Sequence, residues 1–149
     1  MQGFTESWLR EHQAKSRAPV PAKGPLQFVL RQPLKLLNEL LRMHHRQRSA
    51  YTRRLSTEVA GATAHRAGEP LVRKARVTIE RHSIGTPDPD GLVASAKGLL
   101  DVLQPRSDRH PHGLGLIWQD SPAHLELIIW HVHAPTRAAQ RTVVRIEAA

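Results

Sequence analysis

The sequence predicts an α/β or α+β domain in which two main helices pack on a mixed β-sheet. Apolar and polar residues alternate in residues 70–82 and 124–133, as they do in half-buried strands, and a helical period runs between the predicted strands. The predicted order, β-α-β-α-β-β-β, places helices between strands of one sheet. The length of 149 residues suits one domain with a modest core.

The composition indicates a polyanionic partner. Lys and Arg number 22 against 13 Asp and Glu, for a net charge of +9, which favours nucleic acid or an anionic surface as the partner. The absence of cysteine excludes disulfides and thiolate zinc sites. No apolar run approaches the ~18 residues of a membrane span, and the N-terminus lacks the apolar core of a secretory signal. We expect a soluble intracellular protein without a membrane partner.

Residues 1–24 are predicted to form a basic N-terminal arm ahead of a folded domain in residues 25–149. The arm mixes charge, Gln, Ala and Pro with few apolar groups, which fits a short helix or a flexible segment. Its cationic side chains could touch DNA or a partner subunit, and a disordered tail is an equal alternative. These side chains are Arg10, Lys15, Arg17 and Lys23.

The first half of the domain is predicted to contain a strand, one long helix and a second strand. The first strand covers residues 26–31, and the helix covers residues 34–65 with Tyr51, Leu55 and Val59 on its apolar side. The other side is basic, and we expect it to hold phosphates because guanidinium groups bind phosphate oxygens bidentately. A solvated surface is the alternative. The basic residues are Arg42, Arg46, Arg48, Arg53 and Arg54.

Three carboxylates in the second half are candidate metal ligands. Asp88 and Asp90 precede a predicted helix at residues 92–103, and Asp120 follows a predicted strand at residues 113–118. A chain reversal could bring the three together, and hard cations such as Mg²⁺ and Mn²⁺ prefer carboxylate oxygens. The alternative is turn chemistry, with Asp90 as a helix N-cap and Asp88 in an Asx-turn.

Two charged residues on the predicted helix 92–103 are candidates for a supporting role. Lys97 lies about two turns beyond Asp90 and could reach back to hold a phosphate or neutralise a leaving oxyanion. An exposed helix lysine is the alternative. Asp101 is four residues further on, so it could simply pair with Lys97.

The last two strands are predicted at residues 124–133 and 142–146. In the first of them Leu125, Leu127 and Ile129 share one face. Ile128 and Trp130 lie on the other face, which is apolar enough for burial on both sides or for a subunit interface.

The acidic stretch and the basic segment upstream together resemble the RusA family of Holliday-junction resolvases. The sequence TPDPDGLVASAKGLLDVL carries the family's paired acids as Asp88 and Asp90, and GLGLIWQDSPAHLEL carries its distal acid as Asp120. Lys97 and Asp101 match the lysine and the acid of the helix between them. Upstream, LNELLRMHHRQRSAYTRR is similar to the family's early loop and basic helix. The matching residues there are Asn38, Arg42, Met43 and His44.

The resemblance implies a RusA-like fold and a crossover junction endodeoxyribonuclease that cuts four-way DNA junctions in recombination and repair. Asp88, Asp90 and Asp120 would then hold Mg²⁺, for which Mn²⁺ can substitute, and Lys97 would assist. Asn38 joins the arginines as a candidate DNA contact. Paired cuts imply a homodimer, and the expected place of action is the cytoplasm and nucleoid of a bacterial or phage-infected cell.

Two departures from the family pattern bear on the metal site. Gly91 stands where the family usually has Asn, and Gln119 stands where many members have a second acid. Two other functions stay open: a non-catalytic, architectural DNA-binding protein, in which the acids only cap and turn the chain, and a basic protein associated with RNA. The sequence has no interleaved aromatic platform for stacking single-stranded bases, which counts against the latter.

Overall fold

Four strands in the described chain follow from the alternating apolar residues. The computed structural model describes residues 25–66 and 72–149, so the predicted arm at residues 1–24 lies outside the described residues. The strands are β1 (Leu26–Leu30), β2 (Ala75–Ser83), β3 (Leu125–His133) and β4 (Arg141–Ala148). The α+β class and the mixed sheet are confirmed.

The sheet has the order β1-β4-β2-β3. β4 is antiparallel to both of its neighbours, and β2 and β3 run parallel, with Ala75 opposite Leu125 and Ser83 opposite His133. Because parallel strands need a long connection, a helix crosses between β2 and β3. Among the described residues β1 and β3 are the two edges of the sheet.

The described chain has three α-helices where two were predicted. They are α1 (Leu37–Arg42), α2 (His45–Thr63) and α3 (Pro89–Leu103), and single 3₁₀ turns follow at Ala64–Arg66 and Arg137–Ala139. The prediction of one helix over residues 34–65 is wrong, because Met43 and His44 are extended. The backbone N–H of His44 donates to Oε1 of Gln47 at 3.1 Å, which satisfies a donor at the start of α2.

The core lies between the helices and one face of the sheet. From α2 it receives Tyr51, Leu55 and Val59, as the periodicity predicts. The α3 positions Ala96, Leu99, Leu100 and Leu103 and the strand positions Val77, Ile79 and Val144 complete its centre. Leu127 and Ile129 of β3 pack against this cluster, so the predicted inward face of that strand is confirmed.

The prediction of a strand at residues 113–118 is wrong. The backbone N–H groups of Leu114, Leu116 and Ile117 donate to the last carbonyls of α3, at 2.8 Å to Val102 and at 2.7 and 3.0 Å to Leu103. A helix C-terminus leaves such carbonyls without intrahelical partners, and this segment satisfies them instead of joining the sheet. Its glycines permit the close approach: a Cβ on Gly113 would overlap the carbonyl of Gln104, and the following glycine has φ +73°.

The sheet has two ends that matter for function. What we call the Asp88 end contains the links at residues 31–36, 84–88 and 134–140, since Leu30 pairs with Thr142 and His82 pairs with Arg141. What we call the Asp120 end contains the link at residues 104–124, which leads into β3. In the described ranges, no helix has the length and apolarity needed to cross a bilayer.

Candidate metal and nucleic-acid site

Asp88 and Asp90 lie together at the exposed start of α3. Asp88 is the N-cap residue, and its Oδ2 accepts the backbone N–H of Gly91 at 3.3 Å. Pro89 occupies the first helical turn, where its missing N–H removes no hydrogen bond. Asp90 is also in the first turn, where a negative charge interacts favourably with the helix dipole. Of the turn-chemistry alternatives, a helix cap is present, but Asp88 and not Asp90 forms it.

Gly91 is part of this arrangement. A Cβ at this position would lie 2.7 Å from Oδ1 of Asp88, closer than real Cβ contacts allow. The glycine that departs from the RusA pattern therefore gives the Asp88 carboxylate room in its capping position. An asparagine at residue 91 would require the carboxylate to move.

Asp120 lies at the other end of the sheet. Asp88 follows the end of β2, whereas Asp120 precedes the start of β3. Because the two strands are parallel and in register over nine residues, these points are separated by the length of a strand, about 26 Å. The expected chain reversal thus does not bring Asp120 to Asp88 and Asp90 within one chain. Among the described residues, no group of three or more His, Asp or Glu side chains is placed to hold a metal ion.

Lys97 and Asp101 form the i, i+4 pair that the sequence allowed. Lys97 Nζ lies 3.6 Å from Asp101 Oδ1, and the lysine side chain is 74% exposed. The same Asp101 oxygen lies 3.7 Å from Nδ1 of His110 in the link at residues 104–124. Asp101 therefore faces the link at the Asp120 end, and Lys97 is paired along α3 rather than with the start of that helix.

The candidate DNA-binding residues are exposed on α1 and α2. Within the described ranges, no carboxylate lies within ion-pair distance of the four arginines 42, 46, 48 and 53. Arg54 lies over the ring of Tyr51, 5.5 Å from the ring centre. The exposed residues are Asn38, Arg42, Arg46, Arg48, Arg53 and Arg54. Unpaired, exposed guanidinium groups are available to phosphates.

The link that leads into the basic helices lies at the same end of the sheet as the paired acids. The link at residues 31–36 enters α1 from the Asp88 end, and the N–H of Lys35 in that link donates to the hydroxyl of Tyr51 in α2 at 3.1 Å. α1 also packs against α3, the helix that carries Asp88 and Asp90. Burial raises the pKa of the Tyr51 phenol, so it stays a neutral partner in this contact at physiological pH. The link before α1 and the acids at the start of α3 therefore belong to the same end of the sheet.

A groove lies beside this region, between the end of β1 and α2. Its volume is about 660 Å³, and its walls include Val29, Pro33, Leu55 and Gly61. Glu58 fixes one wall, because its Oε1 accepts the backbone N–H of Arg31 at the end of β1. Sequence periodicity gave no sign of the groove, since it depends on how α2 is placed against the edge strand.

A buried arginine at the Asp88 end was also missed. Arg81 is 5% exposed, and its Nε donates to the carbonyl of Leu34 at 2.7 Å. Burial lowers the pKa of its guanidinium, and the charge of Glu39 acts in the opposite direction. The signal was present in the sequence: Val77, Ile79 and Arg81 follow the two-residue period of a strand, so Arg81 falls on the buried face.

Comparison with known proteins finds no matching family model, no matching curated protein and no matching solved structure. The resemblance to the RusA resolvases therefore depends on the motifs quoted above, and the function depends on the site.

Proposed function

We propose that this chain is a metal-dependent, structure-selective endonuclease that resolves four-way DNA junctions. The observation that carries the proposal is the placement of two exposed carboxylates, Asp88 and Asp90, at the same end of the sheet as the link that leads into the basic helices α1 and α2. A nuclease needs both groups close together, because the cations hold the polyanionic strand and the acids act on one of its phosphates.

The arginines bind the DNA backbone in this proposal. Arg42 and Arg46 are exposed on successive helices and free of carboxylate partners in the described ranges, so each can hold a phosphate oxygen. Such contacts read the path of the strands and not their sequence, as selection of a branched structure requires. Binding should weaken steeply with salt, because each neutralised phosphate releases counterions.

The carboxylates are suited to Mg²⁺ or Mn²⁺, which take oxygen ligands. Asp88 uses one oxygen as a cap, which leaves its other oxygen and the whole Asp90 carboxylate available. A bound divalent cation would lower the pKa of water and stabilise charge on the phosphate oxygens. Lys97 would hold the phosphate, since its side chain is 74% exposed and lies 3.6 Å from Asp101 Oδ1, beyond a good hydrogen-bond distance.

A homodimer accounts for the distance between Asp120 and the other two acids. β3 is a sheet edge in the described chain and exposes Trp130, which is 41% accessible. If β3 pairs antiparallel with β3 of a second copy around a two-fold axis, the start of one strand meets the end of the other. Asp120 of the partner subunit would then lie at the Asp88 end of the first. Each of two identical sites would take acids from both chains.

The experiment that tests the proposal is cleavage of a labelled four-way junction with Mg²⁺, Mn²⁺ or EDTA, beside linear duplex of the same sequence. Paired, metal-dependent cuts confined to the junction are expected. Junction binding without cuts in either metal would show that the catalytic assignment is wrong.

Mixing inactive variants tests whether the site is shared. We expect Asp88→Asn and Asp120→Asn to be inactive alone and to recover single-strand nicking when the two chains are refolded together, because one of the two shared sites then has all three acids. If all three acids act within one chain, both sites in the mixed dimer stay defective and no nicking returns.

A non-catalytic, architectural DNA-binding protein is the second candidate, and the Asp88 cap favours it. In that case the acids begin α3 and hold no metal. Junction binding would persist in EDTA, and Asp90→Asn would leave that binding intact and cost only the helix-dipole interaction, about 0.3–1 kcal/mol.

A further inference from the structure

Arg81 is the centre of a buried hydrogen-bond network at the Asp88 end. Its Nε donates to the Leu34 carbonyl at 2.7 Å, and its Nη1 donates to Oγ of Ser83 at 2.8 Å. Leu34 is 1% exposed and lies in the link that enters α1, whereas Ser83 is the last residue of β2, before the link to Asp88. One guanidinium thus connects both links.

Ser83 extends the hydrogen-bond network from Arg81 to the link before Asp88. Its hydroxyl donates to the carbonyl of Gly85 at 2.8 Å, so it accepts from Arg81 with a lone pair. Nε2 of His131 lies 3.1 Å from the same hydroxyl oxygen and 3.1 Å from the Ser83 carbonyl. Since the hydroxyl proton is already committed to Gly85, Nε2 of His131 carries the proton and donates.

The links around this network are held by side chains as well. The N–H of Leu34 donates to Oγ1 of Thr142 at 3.0 Å, and that hydroxyl donates to the Gln32 carbonyl at 2.8 Å. The N–H of Ile84 donates to Oε1 of Gln140 at 3.1 Å. Both links are therefore irregular backbone held by side-chain hydrogen bonds, a buried one at Leu34 and an exposed one at Ile84.

Burying a guanidinium carries a large desolvation cost, and the hydrogen bonds described here go to one carbonyl and one hydroxyl. Desolvation lowers the pKa of Arg81, and no carboxylate in the described ranges lies within ion-pair distance of it. An apolar side chain would fill this volume at lower cost to stability. What the arginine adds is a planar, rigid fork whose donors point in fixed directions.

We infer that Arg81 is a positioning residue that fixes the link before α1 relative to the link before Asp88. The fork sets the separation between the phosphate-contacting helix α1 and the acids at the start of α3, through Leu34 on one side and Ser83 on the other. The geometric coupling stands on the contacts alone, and its role in catalysis rests on the proposed nuclease.

Hydrogen exchange of the full chain tests the coupling without any DNA or metal. In Arg81→Lys, which keeps the charge but lacks the fork, exchange should be about ten-fold faster in both residues 33–42 and residues 84–92, the effect of losing one charged hydrogen bond. Ser83→Ala should accelerate residues 84–92 and spare residues 33–42. Arg76→Lys is the matched control, because Arg76 is on the same strand, 37% exposed, and pairs with Glu126 at 3.3 Å.

Acceleration of only one link in Arg81→Lys, or equal acceleration in residues 104–124, would overturn the inference. A functional readout follows if the wild type cuts junctions: Arg81→Lys should lower kcat about ten-fold and leave KM for the junction unchanged, because the phosphate contacts themselves remain. An increase in KM for the junction with kcat unchanged would contradict a positioning role. If the wild type cuts nothing, the nuclease proposal fails, and hydrogen exchange still decides the role of Arg81.

Discussion

The two ends of the sheet are built on different principles. At the Asp120 end, the link at residues 104–124 closes on itself and on α3: backbone N–H groups meet the last carbonyls of the helix, and Ile117 is fully buried. At the Asp88 end, the buried Arg81 side chain holds the link before α1, while Asp88 and Asp90 stay exposed. The Asp120 end closes the helix terminus with backbone hydrogen bonds, and the Asp88 end uses buried side chains to support exposed acids.

This difference bears on where DNA would bind in the proposed function. Unpaired surface charges lower stability slightly through repulsion, favour solubility, and speed association with an oppositely charged partner. Backbone closure at the Asp120 end serves folding instead. Variants of the buried link residues at the Asp120 end and of the exposed acids at the Asp88 end should therefore separate stability from function.

The largest expected effect is on activity at the Asp88 end. Asp90→Asn should reduce metal-dependent junction cleavage by about 10²-fold or more, because a ligand charge is lost where charge develops on the phosphate. The melting temperature and the junction affinity should be retained, since Asp90 is exposed. The control is Asp108→Asn, which removes an exposed carboxylate from the link at the other end. Equal loss of cleavage in Asp90→Asn and Asp108→Asn would show that cleavage does not depend specifically on the acids of the Asp88 end.

A core truncation at the Asp120 end should cost stability. Ile117→Ala is expected to lower the free energy of unfolding in urea by about 2–5 kcal/mol, the transfer and cavity cost of a buried isoleucine. Ile84→Ala at the Asp88 end, where the side chain is 46% exposed, should change it by less than about 0.5 kcal/mol. A small effect at Ile117 would mean that the link does not close the core.

Two glycines provide a finer comparison. Gly113→Ala should destabilise by about 1–3 kcal/mol, since the added methyl overlaps the backbone of Gln104 and Pro105. Gly85→Ala, in the link before Asp88, meets nothing within 4 Å and should be neutral or stabilising by about 0.5 kcal/mol. The denaturation midpoints of the two variants measure the difference in stability. A clear loss of stability in Gly85→Ala would contradict the open space around this glycine at the Asp88 end.

The smallest expected effect separates the two roles of Asp88. Asp88→Ala should cost about 1 kcal/mol of stability through the lost cap, whereas Asp88→Asn should keep the cap and cost little. Both should lose cleavage if the carboxylate is a ligand. Retained cleavage in Asp88→Asn, with stability unchanged, would assign this residue to capping alone.

Periodicity predicted the elements whose partners lie on one face of a regular segment. Tyr51, Leu55 and Val59 on α2 and the alternating residues of β2 and β3 are examples, because their burial depends only on local geometry. The strand predicted from periodicity at residues 113–118 is absent. The alternating apolar segment there donates hydrogen bonds to the last carbonyls of α3 instead of pairing in the sheet. Periodicity also failed at Met43 and His44, where capping by Gln47 breaks an otherwise continuous helical pattern.

The candidate site was predicted in part for the same reason. The positions of Asp88 and Asp90 at the start of a helix follow from local sequence, and so does the pair of Lys97 and Asp101. The place of Asp120 depends on the direction in which β3 pairs with β2, which spacing along the chain does not reveal. A parallel pair moves it to the far end of the sheet.

The position of β4 has a consequence for how the protein is made. The sheet order puts β4 between β1 and β2, although it is the last of the four strands to leave the ribosome. Until residues 141–148 emerge, β1 lacks its strand partner among the described residues, and its backbone hydrogen-bonding groups stay unpaired. Completion of the sheet during translation therefore depends on contacts between the two ends of the described chain, Leu26 with Ile146 and Leu30 with Thr142, a topology that slows folding.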